Sequence, residues 1–209
     1  TIAGDLTVQE GEWSQTSSNK SLTVTGDVTI EDGGEIEGYA AAISMGSLTI
    51  ESGGTYDATS GTTTITDETG AGDAFVNAGG TYTHNNGLLK ITTDDNTVMK
   101  GNTFGNVEID LDTASDSMTW RDDNNGAVTL EGDLTITSGK WAYQNVADTL
   151  TIHGNTYIAA NGSFNDDGIH EGQVTHHGLV TNLGIYKTSI GVKNALNGGV
   201  RNLGTFTSD

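Results

Sequence analysis

One short unit recurs from end to end of this 209-residue chain: an alternating strand, a glycine turn, and a large apolar side chain just past the turn. Gly132-Asp133-Leu134-Thr135-Ile136-Thr137-Ser138-Gly139-Lys140-Trp141 has its near-copy in Gly4-Asp5-Leu6-Thr7-Val8-Gln9-Glu10-Gly11-Glu12-Trp13. Anchored on the β-branched residue before the turn, six copies place glycine four residues on and a large apolar residue six on. They are Ile30-Gly34-Ile36, Ile50-Gly54-Tyr56, Val76-Gly80-Tyr82, Ile158-Gly162-Phe164, Val180-Gly184-Tyr186 and Val200-Gly204-Phe206. Val8-Gly11-Trp13 and Ile136-Gly139-Trp141 are one residue tighter. The anchors are 22, 20, 26, 60, 22, 22 and 20 residues apart, and sixty equals three units of twenty. Self-similarity at about 20 to 22 residues predicts a repeat architecture along the whole chain.

Residue types choose among the architectures of that period. Leucine-rich repeats need several leucines per unit, and propeller blades need about 40 residues. Leucine is sparse here, and no segment repeats apolar residues at helical spacing. The expectation is an all-β, single-domain parallel β-solenoid of 9 or 10 coils, stacked about 4.8 Å apart and right-handed by the general crossover preference. Thirty glycines supply the corners, and the absence of proline leaves every strand its ladder N–H. Residues 1–60 and 130–209 read as regular coils, and residues 61–129 as an irregular middle with longer loops. In Leu22-Thr23-Val24, Val28-Thr29-Ile30 and Leu48-Thr49-Ile50 the apolar residues point inward and threonine outward. Gly38 to Gly46 is expected to be a corner loop.

The run Gly80-Thr81-Tyr82-Thr83-His84-Asn85-Asn86-Gly87-Leu88-Leu89-Lys90-Ile91 is followed by Thr103-Phe104-Gly105-Asn106-Val107-Glu108-Ile109 and then by Gly132-Asp133-Leu134-Thr135-Ile136. Together they resemble the GTFTHNNG, FNNLTI and GDLTI repeats of β-solenoid proteins from phage virion surfaces and bacterial extracellular adhesins. The resemblance covers most of the chain and departs from the pattern at Gly105 and Val107, where asparagine and leucine are usual. It implies an outer-surface solenoid and no particular activity.

The charge balance, 28 acidic against 8 basic side chains and a net −20, argues against nucleic acid as a partner. No apolar run of 18 residues exists to insert in a membrane. Without cysteine there is neither a disulfide frame nor thiolate chemistry. The repeat runs from about Gly4 to Phe206 with no visible cap. Either other protein subunits, copies of the chain or a capsid or tail protein, are expected on its terminal coils, or the chain is a piece of a longer one.

Candidate chemistry is thin. Asp94, Asp95, Asp122 and Asp123 are weak Ca²⁺ candidates in acidic turns that match no EF-hand loop, so no cofactor is expected. His170, His176 and His177, near Asp166 and Asp167, suggest a transition-metal site but read better as polar surface, because adjacent strand residues point to opposite sides. Trp13, Tyr56, Tyr82, Trp141, Phe164, Tyr186 and Phe206 hold equivalent places in the repeat. They read as an internal stack in preference to an exposed row for a surface glycan. Asn182 and Asn202, twenty residues apart, suggest an asparagine ladder. Glu108, Asp110 and Asp112 face outward near the possible basic partners Lys100 and Arg121, but no lyase or glycosidase motif joins them. The expectation is a non-enzymatic structural protein of a virion surface, such as a capsid decoration or fibre protein. An extracellular adhesin or self-assembling filament is the alternative, and a polysaccharide lyase or glycosidase the second.

Overall fold

The computed structural model describes residues 1–14, 20–100, 103–120, 127–143, 149–164, 173–188 and 194–208. The described residues form twenty-six strands, all paired in parallel, that wind into a β-solenoid with three faces, and they include no helix. On the first face, Leu6–Val8, Val28–Ile30, Leu48–Ile50, Asp73–Asn77, Thr97–Lys100 and Ser117–Trp120 stack in order. The second halves of Leu134–Tyr143 and Thr156–Phe164 continue that face, followed by Ile185–Thr188 and Thr205–Ser208. The second face holds a four-stranded ladder from Gly11–Ser14 to Thr81–Thr83 and a five-stranded ladder from Thr103–Phe104 to Asn194–Leu196. The third face runs through Leu22–Thr23, Ile43–Met45, Thr62–Ile65, Leu88–Ile91 and Asn106–Asp110. It then takes the first halves of Leu134–Tyr143 and Thr156–Phe164, and ends in Val180–Asn182 and Val200–Asn202.

Alternation sets the core. Val28, Ile30, Leu48 and Ile50 are fully buried, while Thr29 and Thr49 between them stay partly open. The apolar column of the third face is Met45, Ile65, Ile91, Ile109, Ile136 and Ile158, each in register with the next. Each coil therefore buries a few side chains from three directions, and its neighbours above and below bury the rest.

The Gly-Asp pairs that open the repeat have a job the pattern did not disclose. Asp5 Oδ1 accepts the amide N–H of Asp27 on the next coil at 3.0 Å, and Asp27 Oδ1 accepts the Ser47 hydroxyl at 2.8 Å. At a different corner, Asn106 Oδ1 accepts the Asp133 N–H at 2.9 Å, Asp133 the Asn155 N–H at 2.6 Å, and Asn155 the Leu179 N–H at 3.0 Å. Side-chain oxygens thus satisfy corner amides that no strand partner reaches. The glycines leave room for the coil beneath: a Cβ on Gly184 would run into the carbonyl oxygens of Gly162 and Ala159.

The structure corrects the phase of the repeat. Val8, Ile30 and Ile50 lie on the first face, and Trp13, Ile36 and Tyr56 follow them on the second. Ile136 and Ile158 lie on the third face, and Trp141 and Phe164 follow on the first. The same sequence unit therefore builds one corner of the triangle early in the chain and another corner late. The sixty residues from Val76 to Ile136 run from the first face to the third, two complete coils and two-thirds of another instead of three.

Two anchors are also out of register. Val76 pairs with the outward Thr49 while Phe75 takes the interior place above Leu48, because the corner between Asn77 and Gly80 is one residue shorter than that between Ile50 and Gly54. A one-residue slip turns every side chain over. Val180 sits over Thr156, with Asn182 over Ile158. Three residues separate Ile158 from Gly162 and only Leu183 separates Asn182 from Gly184, and a two-residue change leaves the inward face inward. Val200 does stack on Val180, but on the last coil it is 40% exposed. The expected loop at Gly38 to Gly46 contains the strand Ile43–Met45 with Ile43 and Met45 buried, since two inward apolar residues flank Ser44.

Candidate functional site

The interior contains a continuous aromatic path. Tyr56 stacks on Tyr82 at 5.9 Å, and Tyr82 meets Phe104 at 5.4 Å. Phe104 meets Trp120 edge-on at 5.0 Å, and Trp120 stacks on Trp141 at 5.7 Å. Trp141, Phe164, Tyr186 and Phe206 follow at 6.4, 4.9 and 4.9 Å. These separations are those of favourable aromatic pairs. The seven repeat aromatics do not form one column, however. Trp13, Tyr56 and Tyr82 belong to the second face and Trp141, Phe164, Tyr186 and Phe206 to the first, following the phase change. Phe104 and Trp120, which the spacing did not single out, make the crossing inside the coil. With Tyr56, Trp141, Phe164 and Tyr186 buried, this row is not a platform for sugar rings.

Next to the path lies a buried polar triad. His176 ends the second-face strand Gln173–His176, in register with Ile152 below and Leu196 above. Its Nδ1 is 2.8 Å from Thr156 Oγ1 and its Nε2 is 3.0 Å from the Tyr186 hydroxyl. Burial pushes the imidazole down to about 4 and the Tyr186 phenol above its usual range. The ring is therefore neutral at pH 7, donating through one nitrogen and accepting through the other. The expectation of polar surface fails for His176: its strand directs it inward, and the hydroxyls of Thr156 and Tyr186 make the interior place tolerable. His177, the next residue, points outward and stacks on His153. His170, Asp166 and Asp167 lie outside the described residues.

A second polar element sits at the last two coils. Asn182, fully buried, donates through Nδ2 to Asn202 Oδ1 at 2.7 Å and to the Thr205 carbonyl at 2.8 Å. Asn202 in turn donates to the Gly204 carbonyl at 3.2 Å.

The acidic corners gather at one place. Carboxylate oxygens of Asp67, Glu68 and Asp94 lie within 4.8 Å of one another, contributed by two successive corners between the third and first faces. Asp95 next door is engaged in its own turn, accepting the Asn96 N–H at 2.7 Å. Partial burial, then the charges of Asp67, Asp95 and Asp94, raise Glu68 above the ordinary carboxylate range, and its Oε2 has no partner among the described residues. Three carboxylates suit a hard cation such as Ca²⁺, which takes six to eight oxygens, and here two of them, Asp67 and Asp94, are exposed to water. Asp122 and Asp123 lie outside the described residues. At neutral pH the folded state disfavours ionised Glu68, so stability falls as pH rises through its range. Glu68→Gln, a mimic of the protonated acid, is expected to raise stability by about 0.5 kcal/mol at pH 7 after allowance for solvent screening. The gain should vanish at pH 3.5 and shrink in 1 M salt, as urea denaturation would report.

Two outward carboxylates of the third face share one cation. Lys90 Nζ is 3.1 Å from Glu108 Oε1 and 2.7 Å from Asp110 Oδ2, and the Thr137 hydroxyl donates to the same Glu108 oxygen at 3.0 Å. Burial opposes the charge on Lys90, but the hydrogen bonds it donates to Asp110 and Glu108, with the charges of those carboxylates, outweigh burial and hold the ammonium above its ordinary value. Lys100 reaches Asp73 at 2.9 Å, away from this group. Asp112 is exposed beyond the strand's end, and Arg121 lies outside the described residues. Sequence reasoning missed Lys90 as the partner because its place opposite Glu108 depends on third-face register.

No protein-family model, curated protein or solved structure matches this chain.

Proposed function

We propose that this chain is a non-enzymatic structural component of an outer-surface assembly, and specifically a phage virion protein such as a capsid decoration or fibre subunit. The observation that carries the reading is the parallel stack of strands, in which buried residues from three faces pack coil upon coil through the described residues. Such a stack is a spacer of fixed length, and its net charge of −20 keeps a strand-rich rod soluble among its neighbours. The polar constellations with close geometry, at Lys90 and at His176, have partners that satisfy them within the fold.

An extracellular adhesin or filament subunit is the second reading. It draws on the same stack of coils, since a rod of fixed length serves a cell surface or a thread as well as a particle. Gold-labelled antibody applied to virions and cells of the source culture separates the two. Label on particles is expected, and label confined to cell surfaces or threads would transfer the assignment to the adhesin or filament. Release of reducing ends or unsaturated products from acidic polysaccharide by the purified protein would overturn both.

A further inference from the structure

The corner that joins the second face to the third carries one residue per coil at an equivalent place, immediately after the last inward residue of the strand. Glu131 follows Leu130, His153 follows Ile152, His177 follows His176 and Asn197 follows Leu196. Their amide N–H groups donate one coil down, to the carbonyls of Phe104, Leu130, Ile152 and His176 at 2.8 to 2.9 Å. Four exposed side chains are thereby fixed in a row along the axis: carboxylate, imidazole, imidazole, amide. The two imidazole rings lie 4.9 Å apart and within 5° of parallel.

The geometry points to a transition-metal site at His153 and His177, binding Zn²⁺, Ni²⁺ or Cu²⁺ through one ring nitrogen from each of two adjacent coils. Neutral imidazole is a preferred ligand of all three ions. With metal–nitrogen bonds of about 2.0 to 2.1 Å, a tetrahedral ion holds two nitrogens about 3.3 Å apart. Stacked rings 4.9 Å apart hold their lone pairs in parallel planes, so both exposed rings must rotate about their side-chain torsions to bring one nitrogen each onto the ion. The strand ladder fixes both Cα positions, so only side-chain rotation is lost on binding. Glu131 below His153 and Asn197 above His177 bring oxygen donors within one coil of the pair, and water completes the coordination. Two nitrogen donors distinguish this place from the many carboxylates of the surface, which attract hard cations through oxygen alone.

Zn²⁺ titration by calorimetry in millimolar Ca²⁺, which occupies weak carboxylate positions, should give one site per chain. His153→Ala and His177→Ala are each expected to weaken it at least tenfold, while His84→Ala and His170→Ala leave it unchanged. One equivalent of Cu²⁺ should show hyperfine coupling to two imidazole nitrogens by electron paramagnetic resonance. Binding should fall on acidification, since a protonated imidazole has no lone pair for the metal. Unfolding midpoints matched to the parent show that a variant's loss is not loss of fold. On the unmodified protein, Zn²⁺ should shift the ring ¹⁵N signals of His153 and His177 before those of other histidines. Unchanged Zn²⁺ affinity in the double variant, an oxygen-only copper spectrum, or first shifts at another histidine would overturn the assignment.

Discussion

Trp141→Ala should lower the unfolding free energy by about 4 kcal/mol, as a shift in the urea midpoint at constant slope would show. Trp141 is fully buried, stacked between Trp120 at 5.7 Å and Phe164 at 6.4 Å, so truncation removes two aromatic contacts and opens a cavity that the parallel ladder on either side cannot collapse to fill. Chemistry and shape separate cleanly at this position. The indole Nε1 of Trp141 has no hydrogen-bond partner among the described residues, and neither does that of Trp120. Trp141→Phe keeps most of the stack and removes an unsatisfied buried donor, so its cost should stay under about 1.5 kcal/mol. Trp13 fills the corresponding place in the repeat but is only half-buried on the first coil, and Trp13→Ala should cost much less than Trp141→Ala. Equal losses at Trp13 and Trp141 would mean that the aromatic column is not what holds the late coils together.

That contrast bears on what the sequence discloses. The period and the alternation were legible because both follow from local chemistry: Ile30 and Ile50 face inward and Thr29 and Thr49 outward whatever the neighbouring coil does. The phase was not legible. A glycine corner looks the same at each vertex of the triangle, so Gly54 before Tyr56 and Gly162 before Phe164 cannot be told apart until the pairing is known. Corner lengths decide the register, and they vary by one or two residues at Asn77 to Gly80 and Asn182 to Gly184. The slips left Val76 facing outward and put the polar Asn182 on Ile158. Side chains that act together come from different coils: Lys90 with Glu108, Glu68 with Asp94, Thr156 with His176. Their separations of 18 to 26 residues have no signature before the register is fixed. His176 and His177 show the limit most plainly, since alternation predicts opposite sides for the two rings but not which side is filled by hydroxyl partners.

The pH dependence of stability should pass through His176. The imidazole titrates near 6.5 in an unfolded chain and at about 4 in the fold, so the unfolded state binds the extra proton first as pH drops. Stability attributable to the neutral ring is complete above about pH 6.5 and declines until about pH 4, by roughly 3 kcal/mol in total, because each pH unit of difference is worth about 1.4 kcal/mol. Two other effects run the opposite way: protonation relieves Glu68, and the repulsion within a chain of net charge −20 weakens as carboxylates neutralise. The comparison must therefore be between variants at each pH. His176→Gln keeps hydrogen-bonding capacity toward Thr156 and Tyr186 but does not titrate, so it should be less stable than the parent at pH 7 and lose its disadvantage by pH 4.5. Amide exchange should place the parent's acid loss in the coils around His176, since its protonation puts a charge in the buried interior beside Thr156 and Tyr186, away from the early coils. If the gap between parent and His176→Gln stays constant from pH 7 to 4.5, the buried imidazole is not the group that sets the acid limit of this fold.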